Sequence, residues 1–413
     1  MHIHPSVRRS ALGLLAASVV LAGRPATAAG EHHDNAPTHW VGSWSASVAP
    51  PAGGRAARGF ANVTLRQVAH VSVGGDQVRI RVSNVYGDRP LAVGAATVAT
   101  RADVTAPTPT VDAPTITAVT FDGARAATIP AGTERLSDPV QLAVPDDSDV
   151  VVSLYLPGPT GPASFHIRGL AASFQASGDA VGDAGSAYSL MDSSRYFLSG
   201  VDVTARARGT VVLLGDSITD GVASAGDVNR RYSDRLADRL LQRPEVREYG
   251  VLNAGLSGNR LLTDAGAAGD SAVRRFDRDV LGQTDVTSVV VLEGINDIGA
   301  TLGGVEARDL IAGYRQIISR AHAAGITVVG GTITPFEGAV YDSAAGEEDR
   351  HVVNDWIRTS GEFDAVADFD AAMRDPDHPA RLRPDYDSGD HLHPTEAGLA
   401  ALADAVPVKD LGR

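Results

Sequence analysis

Four consecutive branched apolar residues, Val211 to Leu214, restrict the fold more than any other feature of the sequence. They lack the polar alternation of a half-exposed strand, so they predict a strand buried on both faces of a parallel sheet. Gly215-Asp216-Ser217 follows directly. Ligands of open α/β sheets bind beyond the carboxyl ends of the strands, which makes Ser217 a candidate active-site residue. Alone, a serine in this position is more often a turn former or a helix cap.

From about residue 206 the sequence alternates between apolar strands and helices of period 3.6. Parallel neighbours cannot be joined by tight hairpins, so intervening helices predict a parallel sheet. We therefore expect a three-layer α/β/α domain over residues 206–413. After the first strand, further strands are predicted to end at 252 and to lie at 288–292, at 327–330 and near 366, with helices at 233–242, 305–323, 349–358 and 395–405.

Between about residues 60 and 205 the pattern changes to short strands separated by Gly, Pro and Asp. Strands at 64–73 and 77–83 flank Gly74-Gly75-Asp76, which predicts a β-hairpin. The whole region, taken as 30–205, predicts a β-sandwich of jelly-roll type. Such a module can bind carbohydrate, wall off an active site or stabilise its neighbour, and the sequence leaves these roles open.

The first 29 residues have the pattern of a cleaved export signal. Arg8-Arg9 precede an apolar stretch at 11–22, and Ala26-Thr27-Ala28 has the small residues of a cleavage site. The paired arginines are compatible with the twin-arginine route. We therefore expect a secreted, extracellular protein; the alternative is a disordered tail or an anchor. The apolar stretch is short for a bilayer span, so no stable membrane insertion is expected.

Composition excludes several classes of partner and site. Fifty acidic against 36 basic residues give a formal net charge of −14, which disfavours nucleic acid or an anionic membrane as the main partner. Without cysteine, no disulfide, thiolate nucleophile or cysteine-bound metal is available. His32 and His33 lie in a polar stretch typical of solvated side chains. We expect no metal, no cofactor and a monomer.

Polar residues follow three further predicted strands, at 253–259, 294–297 and 389–394. A serine nucleophile needs a base, which works best when a carboxylate orients it. Asp390 and His393 are three residues apart, so one loop can supply both groups. His391 is the competing base. Asp216, Asp220 and Asp297 are predicted to hold loops through side-chain hydrogen bonds.

Three groups are candidates for an oxyanion hole, the set of donors that stabilises negative charge on a reacting carbonyl oxygen. They are the backbone amide of Ser217, the backbone amide of Gly258 and the side-chain amide of Asn296. Taken singly, Asn296 and Asp297 also fit a simple turn, and Gly258 fits a helix start.

Together, Gly215-Asp216-Ser217, Gly258, Gly294-Ile295-Asn296-Asp297 and Asp390-x-x-His393 resemble the four blocks of the GDSL/SGNH hydrolase family, in the family's order. The resemblance covers residues 206–413. It implies a flavodoxin-like fold and a metal-free serine esterase, with Ser217 as nucleophile, His393 and Asp390 completing a triad, and Ser217, Gly258 and Asn296 as oxyanion donors. The β-rich half is similar to the N-terminal region of secreted actinobacterial members.

The expected substrate is therefore a small-molecule or polysaccharide ester, with an acylated, especially acetylated, carbohydrate preferred. A short-chain lipid or lysophospholipid esterase is the alternative, although aromatic residues make up only 5% of the chain. A hypothesis from a different functional class is that the protein is non-catalytic and binds carbohydrate, on a degenerate hydrolase scaffold. Loss of Ser217, Asp390 or His393 would favour that hypothesis, and all three are present.

Overall fold

A computed structural model describes residues 38–103, 107–242, 249–300 and 304–413. The predicted export signal at 1–29, His32 and His33 lie outside these residues. Residues 37–413 belong to one compact unit, so contacts within this unit can be followed from the β-rich part to the α/β part.

The β-rich part contains two large antiparallel sheets that face a shared core, and two small two-stranded sheets. One sheet has the strand order β1-β15-β3-β8, with β9 also paired to β3, and the other has the order β13-β12-β2-β10-β5-β6. Both sheets contribute to one apolar cluster, for example through Ile80 and Leu154. The predicted β-sandwich is confirmed. Its elements are β1 (His39–Ser45), α1 (Gly54–Arg58), β2 (Val63–Val71), β3 (Gly75–Ser83), β4 (Leu91–Val93), β5 (Ala95–Thr100), β6 (Thr117–Val119), β7 (Ala127–Ile129), β8 (Glu134–Leu136), β9 (Val140–Val144), β10 (Ser148–Leu156), β11 (Phe165–His166), β12 (Ser173–Ser177), β13 (Ser189–Asp192), β14 (Arg195–Tyr196) and β15 (Leu198–Ala205).

The predicted hairpin around Gly74-Gly75 is wrong. The strands on either side, β2 and β3, lie in different sheets and do not pair with each other. The glycines allow close backbone approach as the chain crosses between the sheets: a Cβ on Gly75 would lie 2.2 Å from the carbonyl oxygen of Thr204. A crossing between sheets and a hairpin use the same small residues, so local sequence does not separate them.

The α/β part is built on five parallel strands in the order β17-β16-β18-β19-β20. In β16 all seven residues are buried, as the apolar run predicts. The elements of this part are β16 (Gly209–Gly215), α2 (Ser217–Asp220), α3 (Tyr232–Leu241), β17 (Tyr249–Gly255), α4 (Ala272–Phe276), β18 (Val286–Leu292), α5 (Ile295–Ala300), α6 (Ala307–Ala323), β19 (Thr327–Gly331), α7 (Ala344–Thr359), β20 (Ala365–Ala367), α8 (Phe369–Met373) and α9 (Glu396–Ala405).

Helices cover both faces of this sheet. Val212 and Leu214 of β16 belong to an apolar cluster shared with α4, α6 and α7. Val211 and Leu213 belong to a second cluster, shared with α3, α8 and α9. Because successive side chains of a strand point to opposite faces, the two clusters lie on opposite sides of the sheet. The three-layer α/β/α architecture is confirmed.

The strand order places one edge of the sheet in a position to bind ligands. Numbered along the chain, the five strands run 2-1-3-4-5, so the order reverses between the first and third strands, β16 and β18. In doubly wound sheets with this order, the crevice at the carboxyl ends of those two strands is the usual ligand site. Ser217 follows β16 and Asn296 follows β18.

Hydrogen bonds connect the β-rich and α/β parts. The amide of Gly42 donates to Thr210 Oγ1 at 2.9 Å, and Ser45 Oγ donates to the carbonyl of Asn253 at 3.0 Å. The domain boundary at 205/206 stays a prediction. No helix of the described ranges is both long and apolar enough to cross a bilayer.

Candidate active site

A continuous chain of hydrogen bonds joins three predicted residues. Ser217 Oγ lies 2.9 Å from His393 Nε2, and His393 Nδ1 lies 2.6 Å from Asp390 Oδ2. The serine is the first residue of α2, directly after β16, and it is 6% exposed. Thr395 caps α9 by accepting a hydrogen bond from the amide of Gly398, which sets the start of this helix next to His393.

The carboxylate of Asp390 is held within its own loop. Asp390 Oδ1 accepts hydrogen bonds from the amides of Leu392 and His393, at 3.0 and 2.8 Å. Partial burial raises the pKa of Asp390, but the hydrogen bonds from His393 and from these two amides outweigh it and lower the pKa to about 2. The carboxylate is therefore ionised across the neutral range and can orient the imidazole.

His391, the competing base, forms a separate pair. Its Nδ1 lies 2.6 Å from Asp387 Oδ2, and its backbone amide donates to Asp387 Oδ1 at 3.0 Å. The residue has a φ of 61°, in the left-handed region that non-glycine residues rarely occupy. The hydrogen bond to Ser217 is made by His393, so the geometry favours His393 as the base.

The side-chain amide of Asn296 has a defined orientation. Its Nδ2 donates to the carbonyl of Asn259 at 2.9 Å, and its Oδ1 accepts from the hydroxyl of Tyr341 at 3.0 Å. A carbonyl oxygen only accepts, so the atom facing Asn259 must be the nitrogen. The second hydrogen on Nδ2 has only a long contact, 3.4 Å, to Asp216 Oδ2, so it is available to a developing oxyanion.

Hydrogen bonds from the two residues before Gly258 hold its loop against Gly215 and Asp220. The amide of Leu256 donates to the carbonyl of Gly215 at 3.0 Å, and Ser257 bonds to Asp220 Oδ2 through its amide at 3.1 Å and its Oγ at 2.5 Å. Gly258 has a φ of +79°, which favours glycine. We call residues 256–259 the oxyanion loop.

Arg275 is a site residue that sequence reasoning missed. Its fully buried guanidinium ties the ends of β16 and β17 to the oxyanion loop and to the residue after β18. The adjacent Arg274 is 66% exposed, so nothing local in the sequence marks Arg275 as structural. Its acceptors are Gly215 O (3.0 Å), Ala254 O (2.7 Å), Asn259 Oδ1 (2.9 Å), Asp279 Oδ2 (2.9 Å) and Glu293 Oε1 (3.3 Å).

Two buried carboxyl groups, Asp216 and Glu293, interact with each other next to Ser217. Burial raises the pKa of Asp216 to about 7, and the neighbouring Asp297 raises it further against the hydrogen bond from Ile218 and the charge of Arg275. Burial, together with Asp216, also raises the pKa of Glu293 well above its usual value. Removing these carboxylates from water disfavours their charged forms. These two buried carboxyl groups therefore retain a proton to higher pH than Asp390 does.

The three aspartates predicted to hold loops do so. Asp216 Oδ1 accepts from the amide of Ile218 at 2.9 Å, and Asp220 accepts from Ser257. Asp297 accepts from the amides of residues 261 and 262, at 2.7 and 3.0 Å. This part of the prediction is confirmed. In the part of the chain that the structure describes, no cluster of three or more His, Asp or Glu side chains is suited to hold a metal ion.

Comparison with known proteins identifies the α/β part. The model of the GDSL-like lipase/acylhydrolase family matches residues 213–401. Comparison with curated proteins gave no match.

Similar solved structures cover about half of the chain. A lipolytic protein of the G-D-S-L family from Desulfitobacterium hafniense has 17% identity over 49% of this chain and 99% of its own, with a TM-score of 0.39. A carbohydrate acetylesterase from Sinorhizobium meliloti has 15% identity over 48% and 95%, with a TM-score of 0.38. An acetylxylan esterase from Geobacillus stearothermophilus has 22% identity over 48% and 91%, with a TM-score of 0.37.

The family match covers the end of the strand that precedes Ser217, the loops that carry Gly258 and Asn296, and the segment from Asp390 to His393. The chain thus contains a GDSL-like lipase/acylhydrolase domain over residues 213–401, and this domain supports an ester hydrolase.

Proposed function

We propose that the protein hydrolyses carboxylic esters through a Ser217–His393–Asp390 triad. The observation that carries the proposal is the unbroken set of contacts from Ser217 Oγ to His393 Nε2 and from His393 Nδ1 to Asp390 Oδ2, at 2.9 and 2.6 Å. Both distances lie in the range needed for proton transfer and for orientation of the imidazole.

In the first half of the reaction, Ser217 Oγ attacks the ester carbonyl while His393 Nε2 takes its proton. The carbonyl oxygen becomes an oxyanion, stabilised by the amides of Ser217 and Gly258 and by Asn296 Nδ2. The tetrahedral intermediate collapses, the C–O bond to the alcohol breaks, and His393 returns the proton to the leaving alkoxide. This leaves an acyl group on Ser217.

In the second half, a water molecule replaces the alcohol. His393 takes a proton from the water as its oxygen attacks the acyl carbon, and the same donors hold the oxyanion. Collapse breaks the bond to Ser217 Oγ, which regains its proton from His393, and the carboxylic acid is released. Asp390 stays ionised throughout and stabilises the imidazolium at each stage.

We propose an acetylated carbohydrate as the substrate class. Charged and polar groups lie around His391, two residues from His393, which favours a hydroxylated alcohol moiety over a long hydrocarbon. His391 is 53% exposed and packs against Gly338, and the adjacent Glu337 pairs with Arg381. In the same loop Val340 is an apolar exception, at 89% exposed.

Steady-state hydrolysis of p-nitrophenyl acetate by Ser217→Ala tests the mechanism. We expect kcat/KM to fall by about 10⁴-fold or more, because the nucleophile is lost. Ser43→Ala is the matched control, since Ser43 is also buried and donates a hydrogen bond, to Val73 O at 2.6 Å, within the β-rich part. Undiminished turnover by Ser217→Ala would exclude the mechanism.

The substrate class is tested with two pairs of esters. We expect kcat/KM to be higher for p-nitrophenyl acetate than for the octanoate, and higher for acetylxylan than for lysophosphatidylcholine. The reverse order in both pairs would make the protein a lipid esterase. No turnover of any ester, together with retention on insoluble polysaccharide, would instead favour the carbohydrate-binding protein.

We also propose export, on the pattern of residues 1–29 alone. Expression of the full-length chain in a bacterial host and sequencing of the N-terminus of the secreted product tests it. We expect cleavage after residue 28 or 29. Recovery of the whole product in the cytoplasm, still beginning at residue 1, would contradict export.

A further inference from the structure

A buried histidine of the β-rich part touches the helix that begins with the nucleophile. His166, the last residue of β11, is 4% exposed. Its Nδ1 lies 2.8 Å from the carbonyl oxygen of Ser47, and its Nε2 lies 3.1 Å from Asp220 Oδ1 and 3.2 Å from the carbonyl oxygen of Arg168. Asp220 is the last residue of α2, three positions after Ser217.

Both ring nitrogens of His166 face hydrogen-bond acceptors. The carbonyl oxygen of Ser47 cannot donate, so Nδ1 must carry a hydrogen. Nε2 faces a carboxylate and a carbonyl, so it also carries one when Asp220 is ionised. Burial lowers the pKa of His166, but Asp220 and the two carbonyls outweigh it and raise the pKa. The contact is thus a histidine–carboxylate pair, shielded from solvent, that favours the protonated imidazole.

The other oxygen of this carboxylate reaches the oxyanion loop. Asp220 Oδ2 accepts from both the amide and the hydroxyl of Ser257, at 3.1 and 2.5 Å. These two bonds hold residue 257 through its main chain and its side chain together. The peptide unit that supplies the Gly258 amide follows immediately, so its direction depends on where Asp220 is held.

We propose that His166 is a positioning residue for ester hydrolysis: through Asp220 and Ser257, the β-rich part holds the Gly258 amide in the oxyanion hole. The inference rests on the proposed function, and it assigns the β-rich part a direct role in catalysis. Without the donor on His166, the Asp220 carboxylate loses its partner on one side and no longer holds Ser257 in a single place.

A displaced oxyanion donor affects the transition state more than substrate binding. The negative charge on the carbonyl oxygen develops only as the nucleophile attacks, so kcat falls while KM changes little. Loss of folded protein lowers the active fraction, whereas loss of positioning lowers kcat per folded molecule. Active-site titration with a p-nitrophenyl phosphonate, followed to completion, normalises kcat to the folded fraction.

The test compares His166→Met with His70→Met in the full chain, using p-nitrophenyl acetate, because a methionine side chain has no hydrogen-bond donor. His70 is a matched control, since it also bridges two acceptors within the β-rich part, Asp149 at 2.9 Å and Asp147 at 2.7 Å. We expect His166→Met to lower kcat by about 10- to 100-fold, as for a misplaced catalytic group, with KM within about twofold. His70→Met should keep kcat within about twofold.

Ser257→Ala decides the case in which His166→Met does not fold. It removes only the hydroxyl that bonds to Asp220, and we expect kcat to fall by about 3- to 10-fold, with KM unchanged. A kcat within twofold of wild type in folded His166→Met, or in Ser257→Ala where His166→Met does not fold, would overturn the inference. That failure is separate from failure of the proposed function, in which Ser217→Ala itself stays active.

Discussion

The two sides of the active site are assembled in different ways. In the triad loop, residues 387–393, the paired side chains are three or four positions apart, and Asp390 and His391 are 52% and 53% exposed. On the oxyanion side, Asp220 bonds to Ser257 37 positions away, and Arg275 bonds to Gly215 60 positions away. The side chains of Arg275 and Asp220 are 0% and 2% exposed.

This difference predicts different consequences of mutation. Exposed ion pairs contribute little to stability because water screens them. A buried charge that loses its partner is strongly destabilising, since its desolvation is no longer compensated. Changes in the triad loop should therefore lower activity at nearly constant stability, and changes below the oxyanion loop should alter stability as well.

The largest expected effect is on activity, in the triad loop. His393→Ala should lower kcat/KM by about 10⁴-fold because the base is lost. The melting temperature should stay within about 2 °C, since the side chain is partly exposed, at 16%, and its partner Asp390 is half-exposed. Steady-state kinetics and thermal unfolding measure the two quantities.

His391→Ala is the matched control for His393→Ala. This histidine has the same kind of aspartate partner, Asp387, but does not bond to Ser217. We expect its kcat/KM to fall less than about tenfold. A larger loss in His391→Ala than in His393→Ala would show that His391, and not His393, is the base.

The largest expected effect on stability lies on the oxyanion side. Arg275→Met removes a fully buried guanidinium and leaves its acceptors Gly215 O, Ala254 O and Asn259 Oδ1 without their donor, although Asp279 keeps Arg278. The free energy of unfolding should fall by about 3–5 kcal/mol. Urea unfolding measures this change. Arg274→Met, the same substitution one residue earlier at a 66% exposed position, should change it by less than about 0.5 kcal/mol. Similar losses in both variants would remove the contrast between buried and exposed charge.

A pH-dependent effect is expected at Asp216. Its raised pKa, about 7, means that between pH 4 and 7 the folded protein holds a proton that the unfolded chain releases, so stability falls as the pH rises across this range. Asp216→Asn removes this loss. Relative to wild type, its free energy of unfolding should increase with pH and level off above pH 7.

Urea unfolding at pH 5, 6, 7 and 8 measures the pH dependence. Asp385→Asn is the control, because this carboxylate is exposed and the hydrogen bond from Arg383 lowers its pKa. It should bring no gain at any of the four pH values. A difference between Asp216→Asn and wild type that shrinks as the pH rises would show that the sign is wrong.

The smallest expected effect concerns the orientation of Asn296. Tyr341→Phe removes the hydroxyl that donates to Asn296 Oδ1, so the amide is less well oriented, and kcat should fall by about 3- to 10-fold. Tyr155→Phe is the control, since its hydroxyl donates to Asn62 Oδ1 at the same distance, 3.0 Å, in the β-rich part. Equal kcat values for the two variants would exclude a role for Tyr341.

The same contrast explains how much of the site could be predicted from the sequence. Asp390 and His393 are close in sequence, so their spacing alone brings them together. The uninterrupted apolar run of β16 likewise predicts its burial without knowledge of distant residues. Short-range geometry of this kind is determined by the same residues that form it.

Long-range contacts could not be predicted in this way. Arg274 and Arg275 are adjacent and chemically identical, and only the tertiary structure exposes one and buries the other. His166 lies 54 positions before Asp220, in a different sheet system, so no spacing rule connects them. The wrong hairpin at Gly74-Gly75 has the same origin, because strand pairing depends on partners far along the chain.

Covalent labelling tests whether Ser217 is the nucleophile: the protein reacts with a p-nitrophenyl phosphonate, and mass spectrometry of the intact protein and of its peptides locates the adduct. We predict a single adduct on Ser217, formed much more slowly in His393→Ala and absent in Ser217→Ala. An adduct on a different residue, or labelling of Ser217 at the same rate with and without His393, would contradict the account.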